Sequence, residues 1–159
     1  MRILVYGYGN PGRQDDGLGI ELVSRLEEWA AETGLADIEF DNNYQLNIED
    51  AEVISRKDLV VFADASEENI EDFCLSKVDG SGKLSFTTHA ASPGYIVKLC
   101  QELFQKEPLV FLLHIKGYEW AFQEGLSSKA LINLEKAVSF IKDILEHPKK
   151  ATEPTEKEC

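Results

Sequence analysis

Three side chains in this 159-residue chain, Asp16, Asp64 and His89, have the types and settings to hold a divalent metal ion or to move a proton. Asp16 belongs to an acidic pair, Asp15-Asp16, that follows a glycine-rich turn carrying Gly7, Gly9 and Gly12. Asp64 closes the apolar run Leu59-Val-Val-Phe-Ala63, and His89 follows the strand-like residues 84–88. Two carboxylates and an imidazole form a mixed oxygen and nitrogen donor set, suited to a borderline divalent ion such as nickel, zinc or iron. Three protein ligands leave positions open for water or substrate, which separates a catalytic site from a closed structural one. Each residue also has a structural explanation. Asp16 suits a helix cap, Asp64 a turn at a strand end, and His89 a helix cap or a partner for a buried carbonyl.

The turn also reads as GxGxxG, with Asp41 standing where a ribose-binding acid would be. Several features oppose a dinucleotide. The following helix starts several residues after the third glycine, so its N-terminus does not lie against a pyrophosphate. Asp15 and Asp16 occupy the place of the phosphates with Arg13 alone to offset them, a repulsion worth several kcal/mol in a poorly solvated site. Pro11 removes a further backbone donor from the loop. Paired acids at this turn favour a cation.

Such residues need a scaffold that gathers strand ends, and the order of hydrophobic patterns supplies one. Residues 3–6 form a short apolar run stopped by glycine, which reads as a strand buried on both faces. From about residue 19 to 33 the period becomes helical, with Ile20, Val23, Leu26 and Ala30 on one stripe and Gly34 as the stop. A strand at 38–40, a short helix at 49–55 and the strand at 59–63 follow. Residues 73–78 and 84–88 read as weaker strands on either side of a turn at 79–82. Ser92-Pro93 starts a helix with Ile96, Val97, Cys100, Leu103 and Phe104 on its stripe. Residues 109–115 form a continuous apolar strand. Ser127 or Ser128 caps a last helix that carries Leu131, Leu134, Val138, Ile141 and Leu145 and stops at Pro148.

The alternation predicts a doubly wound α/β three-layer sandwich with a mostly parallel central sheet flanked by helices. Its ligand site is expected at the carboxyl ends of the strands, near the switch point of strand order. Residues 1–148 form one domain, and the charged, proline-containing residues 149–159 are expected to be a disordered tail.

Composition narrows the classes. A formal net charge of −13 repels phosphate backbones and anionic lipid surfaces, so neither nucleic acid nor membrane is expected as a partner. No apolar run approaches the ~20 residues needed to span a bilayer, and the opening residues lack a signal-peptide core, so a cytoplasmic protein is expected. Cys74 and Cys100 sit among apolar neighbours and read as buried free thiols, with Cys159 an exposed, unpaired thiol. His114, inside an apolar strand, reads as structural, and His147 as a partner of a helix dipole. No HExxH helix and no Ser-His-Asp constellation stands out.

The segment Gly7-x-Gly9-Asn10-x-x-Arg13-x-Asp15-Asp16-Gly17-x-Gly19 resembles the signature of the [NiFe]-hydrogenase maturation endopeptidases. Asp64 in Val-Phe-Ala-Asp-Ala and His89 in Thr-His-Ala-Ala-Ser-Pro-Gly match the acid and histidine of that family. The resemblance runs from residue 1 to about 147. The acid at position 16 is glutamate in many members and is one methylene shorter here. The segments at 44–46, 117–119 and 124–127 look more like the branch that serves cytoplasmic soluble hydrogenases. The resemblance implies a peptidase of aspartic or metal-assisted type, which removes the C-terminal extension of the hydrogenase large-subunit precursor after nickel insertion. It implies that the nickel is carried by the substrate, with no resident cofactor, and is contacted by Asp16, Asp64 and His89. The alternatives are a nucleotide-binding oxidoreductase and a catalytically silent metal- or partner-binding module of the same fold.

Overall fold

A computed structural model describes residues 1–80 and 91–159. The chain runs β1 (Ile3–Tyr8), α1 (Leu18–Thr33), β2 (Ile38–Asn43), α2 (Asp50–Ile54), β3 (Leu59–Ser66), β4 (Phe73–Lys77), α3 (Pro93–Phe104), β5 (Leu109–Lys116) and α4 (Ser128–Glu146). Single 3-10 turns cover Gln14–Gly17 and Pro148–Thr152. The caps are those the sequence announces. The Ser92 hydroxyl accepts a hydrogen bond from the Tyr95 amide at 3.1 Å, with Pro93 in the first helical position. The Ser127 hydroxyl accepts from the Ala130 amide at 3.2 Å, and Gly34 ends α1 in the left-handed region at φ 73°.

The strands form one sheet in the order β2-β1-β3-β5-β4. The pairings β1 with β2, β1 with β3 and β3 with β5 are parallel, and β4 runs antiparallel against β5 at the edge. The expected doubly wound, mostly parallel sandwich is therefore the architecture observed. β1 and β3 are buried on both faces, which is why they read as unbroken apolar runs rather than alternating ones. One face packs Leu22, Leu26, Leu134 and Ile141 of α1 and α4 against Val5, Val61 and Leu113. The opposite face packs Ile54, Ile96 and Cys100 of α2 and α3 against Leu4, Phe62 and Val110. Each large side chain so buried stabilises the fold by ~1.5–3 kcal/mol relative to exposure. From β1 the chain steps outward to β2 and then crosses back to β3, so the switch point lies between the ends of β1 and β3.

Two expectations are corrected. Cys74 and Cys159 are not free thiols but form a disulfide, with Cα atoms 5.1 Å apart; Cys100 alone is a buried free thiol. Residues 149–159 are not a disordered tail. After the turn at Pro148–Thr152 they bring residues 157–159 alongside the outer edge of β4, pairing at Leu75. Their charged composition hides an edge pairing made by backbone groups, which composition does not report. The expected strand at 84–88 lies outside the described residues. Among the described residues, no helix is long and apolar enough to cross a membrane.

Candidate active site

The site is built where α1 begins against the ends of β1 and β3. A Cβ on Gly19 would collide with the carbonyl oxygen of Ala63, so glycine there lets α1 approach the sheet at backbone distance. Gly9 holds φ at 142°, a conformation open to glycine, and turns the chain sharply out of β1. The 3-10 turn Gln14–Gly17 is thereby laid next to the end of β3, with Asp16 on the turn and Asp64 within β3.

Asp16 does not cap α1. Gly17 holds the cap position without a side-chain bond, and the Asp16 carboxylate instead accepts the Asn10 amide at 2.8 Å. The Asn10 side chain in turn accepts the Gly12 amide at 2.9 Å. These contacts also weigh against a pyrophosphate, because a loop amide that would cradle an anion is already held by the chain's own carboxylate.

Asp64 is partly buried, and its carboxyl is pushed up to about 7. Burial is the largest cause, and the negative charge of Asp16 is the second. The Ala65 amide and the Tyr8 hydroxyl donate hydrogen bonds that act in the opposite sense. Tyr8 stands at the end of β1 with its ring edge-on to Phe62 at 6.5 Å. Burial and the neighbouring Asp64 push the Tyr8 phenol well above its ordinary range, so it stays a donor. The two acids thus sit close enough to feel each other's charge, with one of them poised to exchange a proton near neutrality.

Among the described residues, no group of three or more His, Cys, Asp and Glu side chains is placed to hold a metal ion. His89, the third member of the expected set, lies outside the described residues. His114 stays structural: it is partly buried in β5, its Nε2 lies 2.9 Å from the Ser76 hydroxyl, and burial pulls its pKa down. It stands in register between Asp64 on β3 and Cys74 on β4.

Two residues take roles here that their place in the sequence does not announce. Asp15 is fully buried and accepts hydrogen bonds from the amides of Tyr118 (2.8 Å), Glu119 (2.9 Å) and Ser127 (2.7 Å) and from the Ser127 hydroxyl (2.7 Å). Burial alone would raise its pKa, but these donors override it and hold the carboxyl below its usual range. Asp15 thus clasps the loop at 117–127 onto the turn and leaves Asp16 as the acid beside Asp64. Tyr8 is the other. Its place next to the strand-end glycine was the available signal, since a polar tip at that level can reach across to β3.

Arg13 does not neutralise the acid pair. Its Nε donates to the Trp120 carbonyl at 3.1 Å, and its guanidinium lies 6.0 Å and 5.8 Å from the ring centres of Trp120 and Phe122. A cavity of about 350 Å³ opens on one side of Pro11, lined by Gln14, Glu21, Glu124, Leu126 and Leu131. A second, of about 240 Å³, opens on its other side against Asn42, Asn43 and Tyr44.

No protein-family model matches the chain, and no curated protein matches it. Solved structures do. The chain is similar to the [NiFe] hydrogenase maturation protease HycI from Thermococcus kodakarensis KOD1 at 24% identity and a TM-score of 0.72, covering 92% of this chain and 93% of that one. It is similar to the hydrogenase maturating endopeptidase HybD from E. coli at 18% identity and a TM-score of 0.75, covering 93% and 94%. It is also similar to the hydrogenase 2 maturation peptidase of a Thaumarchaeota archaeon at 20% identity and a TM-score of 0.65, covering 91% and 98%. Over more than nine-tenths of its length, the chain shares the fold of solved hydrogenase maturation proteases.

Proposed function

We propose that the chain is an endopeptidase of hydrogenase maturation, which removes the C-terminal extension of a [NiFe]-hydrogenase large-subunit precursor once nickel is in place. The observation that carries this reading is the Asp16–Asp64 pair at the switch point, with Asp64 held near neutrality. The shared fold of the maturation proteases supports it. Nickel belongs to the substrate and serves as the recognition element. Asp16, Asp64 and His89 are the groups that meet it, two carboxylates and an imidazole matched to a borderline divalent ion.

The chain's own part follows from the pair's electrostatics. Before substrate arrives, burial and the charge of Asp16 keep a proton on Asp64 for much of the time near neutral pH. A cation brought against the pair offsets that repulsion and favours the ionised carboxylate, so binding releases a proton. Tyr8 and the Ala65 amide hold the ionised Asp64 by donating to it. A carboxylate at this pKa also suits the acceptance of a proton from an attacking water. The cavities on either side of Pro11 give side chains of an extended peptide a place along the turn that carries Asp16.

The test is to incubate the chain with matched nickel-loaded and nickel-free precursor and follow loss of the extension. Loaded precursor is cleaved. Loss of a contact worth about 3–4 kcal/mol slows the nickel-free form by several hundredfold in kcat/KM. Asp16→Asn, Asp64→Asn and His89→Ala each abolish cleavage while the fold survives. Equal cleavage of both precursors overturns nickel reading, and cleavage of neither overturns the peptidase.

A further inference from the structure

The segment that follows Ala151 is docked on β4 in a way that makes its attachment conditional. Ala151 is buried in the core, but residues 152–159 include no buried side chain; Thr155 and Lys157 are partly covered and the rest are exposed. The backbone contributes two hydrogen bonds to the β4 edge, from the Leu75 amide to the Lys157 carbonyl at 2.7 Å and from the Cys159 amide to the Leu75 carbonyl at 3.1 Å. Lys157, 31% exposed, pairs with Asp72 at 2.7 Å and lies 4.6 Å from the centre of the Phe73 ring. Cavities of about 420 Å³ and 450 Å³ flank the segment, so it is poorly packed on either side. Glu156 and Glu158 line the first of these together with Glu68 and Glu71, like charges that oppose the hold of the Lys157–Asp72 pair. Ordering seven residues costs more than two edge hydrogen bonds and a part-exposed ion pair return. The remaining attachment is covalent: the Cys74–Cys159 disulfide, which closes a span of 85 residues.

We infer that the Cys74–Cys159 disulfide is a reducible latch, which holds residues 153–159 on the outer edge of β4 until a dithiol reductant releases them. Cys159 is exposed and Cys74 is 8% exposed, so the incoming thiolate attacks the Cys159 sulfur. The S–S bond breaks, Cys74 leaves as a thiolate and takes a proton, and Cys159 is held in a mixed disulfide with the reductant. The second thiol of the reductant attacks that bond and frees Cys159. Two electrons and two protons pass to the chain, and the reductant departs as its own disulfide. Release unpairs the Leu75 amide and carbonyl and leaves the outer edge of β4 open. It also uncovers the cavity lined by His114, which stands one strand from Cys74 and one strand from Asp64. The latch is independent of the peptidase reading, and its test does not use cleavage.

The experiment compares the whole chain, mildly oxidised with oxidised glutathione, with the same chain reduced by dithiothreitol. Hydrogen exchange at the Leu75 and Cys159 amides is read alongside tryptic cleavage after Lys157. The oxidised chain shows one titratable thiol on unfolding, that of Cys100, and a protected Leu75 amide. Reduction speeds exchange at Leu75 at least tenfold and exposes the Lys157 bond to trypsin, while amides in β1 and β3 keep their protection. Cys159→Ser shows the reduced pattern without any reductant. Equal protection of Leu75 in both redox states overturns the latch, and so do three titratable thiols in the oxidised chain.

Discussion

Asp64→Asn removes the candidate acid most strained by its surroundings, and it should make the protein more stable as it makes it inactive. In the folded chain the Asp64 carboxyl is pushed from 3.8 up to about 7, by burial first and by Asp16 second. That displacement, about 3 pH units at about 1.4 kcal/mol each, sets a ceiling of about 4 kcal/mol on the cost of ionising it in place. Below the unfolded value both states hold the proton and there is no penalty. As pH rises from about 4 to 7 the unfolded chain ionises while the folded chain resists, so stability falls; above about 7 the penalty is complete. Asparagine keeps the shape and still accepts from Tyr8 without the charge. The variant should gain about 2–4 kcal/mol at pH 8, and its advantage should grow by up to about 2.5 kcal/mol between pH 5 and pH 8. For a chain of this length that raises Tm by roughly 5–12 °C at pH 8. The assay is thermal unfolding of both proteins across that range. An advantage that is absent at pH 8, or the same at both ends, refutes the claim that Asp64 is held at the site against its own electrostatics.

Tyr8→Phe deletes a donor that favours ionised Asp64, so the Asp64 midpoint should climb above about 7 in a carboxyl NMR titration while the fold is kept. Asp15→Ala leaves the donors of Tyr118, Glu119 and Ser127 without their acceptor and should lower stability by about 3–5 kcal/mol in urea unfolding, with faster proteolysis at 117–127. Gly19→Ala forces a methyl group against the Ala63 carbonyl, and a loss of about 3 kcal/mol in the same assay is expected.

What the sequence shows of this fold is what periodicity and local chemistry encode. The apolar runs of β1, β3 and β5 and the caps at Ser92 and Ser127 are visible because burial on two faces and an orphaned helix amide each demand particular residue types. The direction of β4 is not visible, since a strand's side-chain pattern is the same whichever way it runs beside β5. Cys74 and Cys159 stand 85 residues apart, and nothing local to either reports that the edge of β4 brings them together. Asp64 was legible as an acid at the end of an apolar strand. The division of labour between Asp15 and Asp16 was not, because adjacent residues on a 3-10 turn point in different directions and the partners of Asp15 lie more than 100 residues away.

The clasp around Asp15 also sets when the site can exist. Its carboxylate is tied to Ser127 across 112 residues of sequence, and to Tyr118 and Glu119 across more than 100. Contacts that close loops of this length come late, because the chain must give up the entropy of the whole intervening segment before they form. A chain emerging from the ribosome can pair β1 with β3 and dock α1 before residues 117–127 have been made. The turn that carries Asp16 then still lacks the loop that fastens it. The fastening of the acid pair thus belongs to the final stage of folding, when nearly the whole domain is present to hold it.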